Sequence, residues 1–226
     1  YRPGDNGFDA MHLNLHKTFS TPHGGGGPGS GPVTVKKYLE PYLPSPTIGC
    51  RDGRYYLDYD RPDSIGRVHG FYGNVGIVLR ALAYILSQGA DGLRFVSENA
   101  VLNANYLLSK IGGAYDVPYG GRCMHEFVAS ASRQKEHGVK ALDIAKRLID
   151  YGFHAPTMSF PVSGTLMVEP TESEDLDELD RFCDAMIAIR AEIDAVAAGV
   201  WPLDDSPLRN APHTADCLIG EWTHPY

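Results

Sequence analysis

Six glycines and two prolines fall within residues 23–32, which read His-Gly-Gly-Gly-Gly-Pro-Gly-Ser-Gly-Pro. No regular helix or central strand tolerates this stretch. Each glycine loses the most backbone freedom on ordering, and each proline lacks the donor that a helix turn or a ladder needs. The chain is therefore looped here, and its neighbours must be short, separate elements. Residues 41–46, Pro-Tyr-Leu-Pro-Ser-Pro, break it again. Gly is 25 and Pro 16 of 226, about 11% and 7% against averages near 7% and 5%, and the excess lies mainly in the first 75 residues. There is no internal repeat.

Ahead of the glycines, Met11, Leu13 and Leu15 alternate with polar residues, the period of a half-buried strand. Such a strand turns His12, Asn14 and His16 to the opposite face. Residues 32–35 read as a second short strand. Residues 36–40 can open a helix that the next prolines end, and 51–62 form a surface hairpin or loop. From 75 to 86 the apolar residues crowd together, which predicts a largely buried helix stopped at Gly89. A second helix follows from Asp91, a candidate N-cap, to Ser109, with Gly112-Gly113 beyond its end.

Composition changes after that glycine pair. Residues 123–131 suit a strand, 140–151 an amphipathic helix closed by Gly152, and 164–170 another strand. Thr171 with Glu174 reads as a capping box for a helix whose apolar residues run from Leu176 through Leu179, Phe182, Cys183, Met186, Ile187 and Ile189 to Ile193. Strand, helix, strand, helix predicts a small α/β sandwich over about residues 112–198. The tail from Trp201 reads as an extended strap.

Charge and cysteines exclude several classes. Asp+Glu total 28 against 20 Lys+Arg, a net charge of −8, which opposes nucleic-acid binding because phosphate backbones need clustered cations. An apolar fraction of 43% opposes wholesale disorder. No apolar run reaches the roughly 18–20 residues of a membrane span. The start, Tyr1-Arg2-Pro3-Gly4-Asp5, is no signal peptide and lacks an initiator Met, so a processed or excised chain is expected. Cys50, Cys123, Cys183 and Cys217 form no C-x-x-C, so reduced thiols are the default, with a single disulfide left open.

The most informative string is His12-Leu13-Asn14-Leu15-His16-Lys17-Thr18-Phe19. A strand that ends in His-Lys and enters a glycine loop puts an amine at the mouth of a sheet. Lysine forms Schiff bases with carbonyl cofactors, and the following turn can offer hydroxyls and N–H groups to a phosphate. The plainer reading is a surface lysine. Gly24, Gly26 and Gly29 fit G-x-G-x-x-G, but the prolines and the strand after them deny it the helix a dinucleotide site requires. His12 and His16, four apart on a strand, sit about 13 Å apart and cannot chelate one ion together. His125-Glu126 lacks the second His of H-E-x-x-H, so no metal site is expected. Arg122 and Arg133 read first as surface arginines. The acidic start of the 171–198 helix reads as a solvated terminus compatible with the helix dipole.

Taken together, these strings resemble the P-protein of the glycine cleavage system (glycine dehydrogenase, decarboxylating). The His-Lys string and glycine run carry the resemblance. Leu102-Asn103-Ala104-Asn105-Tyr106-Leu107, residues 154–161 (His-Ala-Pro-Thr-Met-Ser-Phe-Pro), 169–173 (Glu-Pro-Thr-Glu-Ser) and 210–214 (Asn-Ala-Pro-His-Thr) follow in order, nearly end to end. It implies an α/β chain that is the C-terminal portion of a pyridoxal-phosphate (PLP) fold-type I transferase-like fold. Residues 1–111 would belong to the large PLP-binding domain, 112–198 to the small α/β domain and 199–226 to the tail. Lys17 is then the Schiff-base lysine, with His16, Thr18, Gly24, Gly25, Gly26 and Gly27, and Gly29 beside them, around the cofactor. Arg122 and Arg133 are candidate carboxylate binders only by analogy with other fold-type I PLP enzymes. A buried setting is expected to keep the lysine amine neutral.

The implied reaction is decarboxylation of glycine and transfer of its aminomethyl group to the lipoyl disulfide of H-protein. The implied partners are glycine, lipoylated H-protein and the missing N-terminal part or partner subunit, in a dimer or heterotetramer, with no nucleic acid and no membrane. The implied location is the bacterial cytoplasm, or the mitochondrial matrix in a eukaryote. Family members carry a long segment before the His-Lys string and continue past the equivalent of Tyr226, so the chain is read as an excised C-terminal fragment, inactive alone. The alternatives are another fold-type I decarboxylase and a non-catalytic docking or dimerisation module.

Overall fold

The computed structural model describes residues 2–27 and 29–226. Tyr1 and Pro28, a proline of the glycine run, lie outside the described residues. The chain forms two compact units, one running to Asp91 and the other from Gly92 to Tyr226.

In the first unit, β1 (Ala10–His12) is followed by one helical turn, α1 (Leu15–Thr18), and then by β2 (Val33–Val35), antiparallel to β1 with His12 opposite Val33. The expected strand through Leu15 is thus shorter. The Leu13 and Leu15 N–H groups still donate to Pro32 and Ser30 carbonyls, at 3.1 and 3.2 Å. Pro32 has no N–H to return, so the ladder lapses and the chain coils at Leu15. Leu15 is nonetheless buried, as the alternation predicted. The helix expected at 36–40 is a 3-10 turn, Lys37–Tyr42. The hairpin begins earlier than expected, as β3 (Thr47–Arg51) and β4 (Arg54–Asp58). Asp52 and Gly53 between them have φ of 53° and 75°, the two positive values that a hairpin turn matching the strand twist requires.

Helical residues Val75–Ile111 form α2, broken at Gly89 (φ 65°, ψ −174°) where the sequence predicted a stop. Its first segment is not largely buried. Val75, Leu79, Leu82 and Leu86 are 68, 59, 48 and 73% exposed. The segment is apolar on two sides, and only the side carrying Ala81 is covered within this unit.

The second unit holds β5 (Phe127–Ser130), α3 (Ser132–Lys135), α4 (Ala141–Asp150), β6 (Thr157–Met158), β7 (Thr165–Val168) and α5 (Leu176–Ala197), then α6 (Pro207–Asn210) and α7 (Ala215–Ile219). Its antiparallel sheet has the order β5-β7-β6. Ala141, Ile144, Ala145 and Leu148 give α4 one buried face, and Leu179, Phe182, Cys183, Met186, Ile189 and Ile193 do the same for α5. Both faces, with β5, β7, Leu107, Ile111 and Tyr115, make the core.

Three expectations change in this unit. The strand expected at 123–131 is confined to its last residues, and β6 was not foreseen. The α5 cap is Asp175, whose carboxylate accepts the Glu178 N–H at 2.9 Å, because Asp175-x-x-Glu178 repeats the box one turn after Thr171 and Glu174. The tail is not an extended strap. Leu208 is wholly buried in the core, and His213 N–H donates to Asp150 at 2.7 Å. All four cysteines are free thiols. Among the described residues, no helix is long and apolar enough to cross a membrane.

Candidate functional site

Lys17 sits in the α1 turn, exposed, and its amine makes no hydrogen bond or ion pair among the described residues. The burial expected to neutralise it is not supplied within its unit. His16 beside it is half-buried, its ring 4.7 Å from that of His23 in an edge-on contact. This contact sets the lysine turn against the mouth of the glycine run. The His16 Nδ1 is buried without a hydrogen-bond partner, and so is the Thr21 hydroxyl. Burial, then the charges of His23 and Lys17, push the His16 imidazole below its ordinary value, which favours its neutral form.

The loop has a defined shape. Gly24, Gly25 and Gly26 all have positive φ, of 65°, 60° and 97°, which only glycine adopts readily. The Gly27 N–H folds back to His23 and Gly24 carbonyls at 3.1 Å. The N–H groups of Gly24, Gly25 and Gly26 meet no acceptor among the described residues. Thr18 ends the α1 turn, exposed.

Four contributors escaped the sequence reading. Asn74 donates from its side chain to the Gly29 carbonyl at 3.0 Å, and Arg80 donates from Nε to the Ser20 carbonyl at 2.7 Å. Together they tie the loop and the turn after Lys17 to the start of α2. Thr21 contributes the unpartnered hydroxyl. Gly31 is the fourth, since a Cβ there falls 2.6 Å from the Leu13 carbonyl and 2.2 Å from the His12 ring. Asn74, immediately ahead of an apolar helix, carried a readable capping signal. Arg80 carried none, because its partner is 60 residues away.

Within the second unit, three of the strings named above converge. His154, Thr157, Glu169, Glu174, Phe153 and Leu107 line part of one cavity of about 470 Å³. Asn103 ties the first string to the third by donating to the Thr171 and Glu174 carbonyls at 2.9 and 3.3 Å. The fourth string is spent on structure. His213 bridges Asp150 (2.7 Å) and the Tyr226 hydroxyl (2.8 Å). Of the candidate carboxylate binders, Arg133 pairs with Asp116 at 3.4 Å, and Arg122 is exposed. His125 and Glu126, set aside for want of a second histidine, are joined by Glu169 from across the sheet.

The model of the family described as "Glycine dehydrogenase, C-terminal domain" matches residues 96–213. A probable glycine dehydrogenase (decarboxylating) subunit 2 of Bacillus velezensis is 56% identical over 217 residues, covering 94% of this chain and 42% of its own length. One from Shouchella clausii is 60% identical over 216 residues, with coverage of 94% and 42%. The chain thus spans less than half the length of these curated relatives. A crystal structure of glycine decarboxylase (P-protein) of the glycine cleavage system, in inhibitor-bound form, superposes with a TM-score of 0.66 at 20% identity, over 84% of this chain and 45% of that one. At that identity the likeness establishes the α/β fold alone.

Proposed function

The chain belongs to the glycine dehydrogenase C-terminal domain family, and from that premise we propose that it supplies the lysine-bearing part of a PLP-dependent glycine decarboxylase. One observation carries the reading. An unpaired primary amine, Lys17, lies in the chain between two residues with orphaned buried polar atoms, His16 (Nδ1) and Thr21 (Oγ1), just ahead of a loop with unspent N–H groups.

These residues fit the cofactor. Lys17 would hold its aldehyde carbon through the amine. The neutral His16 imidazole, with Nδ1 free, would orient the ring. The N–H groups of Gly24, Gly25 and Gly26, with the Thr18 hydroxyl, are donors for its phosphate, and Gly27 closes the loop. When bound, the cofactor supplies the electron sink on which amino-acid decarboxylation depends. The exposure of Lys17 assigns the exclusion of water to the segment by which the relatives exceed this chain, since desolvation is what lowers a lysine's proton affinity.

On the same reading the substrate is glycine and the acceptor is lipoylated H-protein. The name "subunit 2" borne by the relatives supports a partner subunit, in a dimer or heterotetramer. Their bacterial sources support a cytoplasmic setting. On this reading residues 1–111 go with the large domain, 112–198 with the small domain and 199–226 with the tail, whereas the compact units divide between Asp91 and Gly92 and Leu208 packs in the core of the second.

The test is incubation of the chain with PLP, borohydride reduction and peptide mass mapping. An adduct concentrated on Lys17, and lost in Lys17→Ala, is the expected result. The same mapping with the partner segment added should strengthen it. Labelling spread over surface lysines, with the partner segment present, would dismiss Lys17 as the cofactor-bearing residue.

A further inference from the structure

His125 and Glu126 directly precede β5, and Glu169 directly follows β7. In the antiparallel register Phe127 faces Val168, so Glu126 and Glu169 are the next pair along the ladder. Residues opposite one another in such a ladder are held about 4.5–5.5 Å apart at Cα, so the sheet itself brings these two carboxylates together. The His125 ring completes the group. Its Nε2 lies 3.8 Å from Glu126 Oε2 and 3.7 Å from Glu169 Oε1, and the three donor atoms fall within 4.8 Å of one another.

Neither carboxylate has a Lys or Arg within ion-pair distance among the described residues. Two negative charges thus face one imidazole without a resident cation. The three donor atoms thus point toward a common space that a cation can fill. One imidazole nitrogen and two carboxylate oxygens are ligands that suit zinc, with a fourth position left for water. A zinc tetrahedron asks for about 3.4 Å between ligand atoms, from metal–ligand distances near 2.1 Å. All three side chains are partly exposed and free to turn toward that spacing. Glu169 also lines the 470 Å³ cavity, so an ion held here borders that cavity and polarises whatever occupies it.

We propose that His125, Glu126 and Glu169 form a divalent-cation site of zinc type on the second unit. The alternative is a cluster of ion pairs that holds no metal. The test uses the whole chain after chelator treatment, titrated with zinc by calorimetry and with cobalt(II) followed by its visible absorption. One ion per chain is expected. His125→Gln and Glu169→Gln should each weaken it at least ~10-fold, the loss that even an outer-shell change produces. His23→Gln should not, which separates this site from the histidines beside Lys17. All three side chains are more than a third exposed, so the variants should fold, and far-UV circular dichroism checks that they do. No stoichiometric binding, or binding and cobalt absorption that persist in His125→Gln, overturns the proposal.

Discussion

Single residues set the geometry around Lys17. Gly31 admits the return strand so close to His12 and Leu13 that a methyl group would meet a backbone oxygen at 2.6 Å. The glycine run was legible as a loop, but which glycines are sterically required was not, because that depends on what they approach. The cysteines follow the same logic. Burial pushes the Cys183 thiol up to about 11. The Thr214 hydroxyl, donating to Cys217 Sγ at 3.4 Å, holds that exposed thiol below its ordinary range. The thiolate is the reactive form. Alkylation of the native chain with iodoacetamide at pH 8 should therefore modify Cys217 readily and leave Cys183 untouched until the chain unfolds. Equal rates at the two would contradict the buried placement of Cys183.

Elements were read well where one face repeats and poorly where two signals compete. The α4 helix was legible because Ala141, Ile144, Ala145 and Leu148 recur on one side and Gly152 turns the chain out at φ 81°. The α5 start was misplaced because two capping boxes lie four residues apart, and packing chose the second. What joins these helices was invisible in sequence. Arg147 on α4 grips Glu192 on α5 through Nε and Nη2, at 3.0 and 2.8 Å, and reaches Asp150 at 2.8 Å. Arg147 and Glu192 are only 19% and 13% exposed. Arg147→Met should lower the unfolding free energy by about 3 kcal/mol, since it strands Glu192 in a poorly solvated place. Arg147→Met with Glu192→Leu should recover much of that loss. Denaturant midpoints decide the matter, and a single variant as stable as the parent would refute it.

At the scale of the molecule the two units differ in how far they are finished. Gly92–Tyr226 has a continuous core, whereas the described residues up to Asp91 bury only Leu15, Thr21 and Ala81. Val75, Val78, Leu79, Leu82 and Leu86 recur at helical spacing along a side of α2 left bare. The relatives are more than twice as long as this chain. The isolated chain should bind an apolar dye such as anilinonaphthalene sulfonate, and Leu82→Glu with Leu86→Glu should abolish most of that signal. Adding the partner segment should suppress it in the parent sequence. Dye binding undiminished in the double variant would place the sticky surface elsewhere.

The sequence by itself determined the features that local chemistry decides. Glycine and proline content broke the chain at 23–32 and at 41–46, helical spacing marked the buried faces of α4 and most of that of α5, and ordered motifs pointed to the family and to Lys17. Tertiary structure decided what rests on residues far apart in the chain: the antiparallel order β5-β7-β6, the hooks of Asn74 and Arg80 on the lysine loop, the burial of Leu208, and the meeting of Glu169 with His125 and Glu126. The division is physical. Propensity and periodicity act within a few residues, whereas a ladder register or a buried partner exists only once the chain has closed on itself.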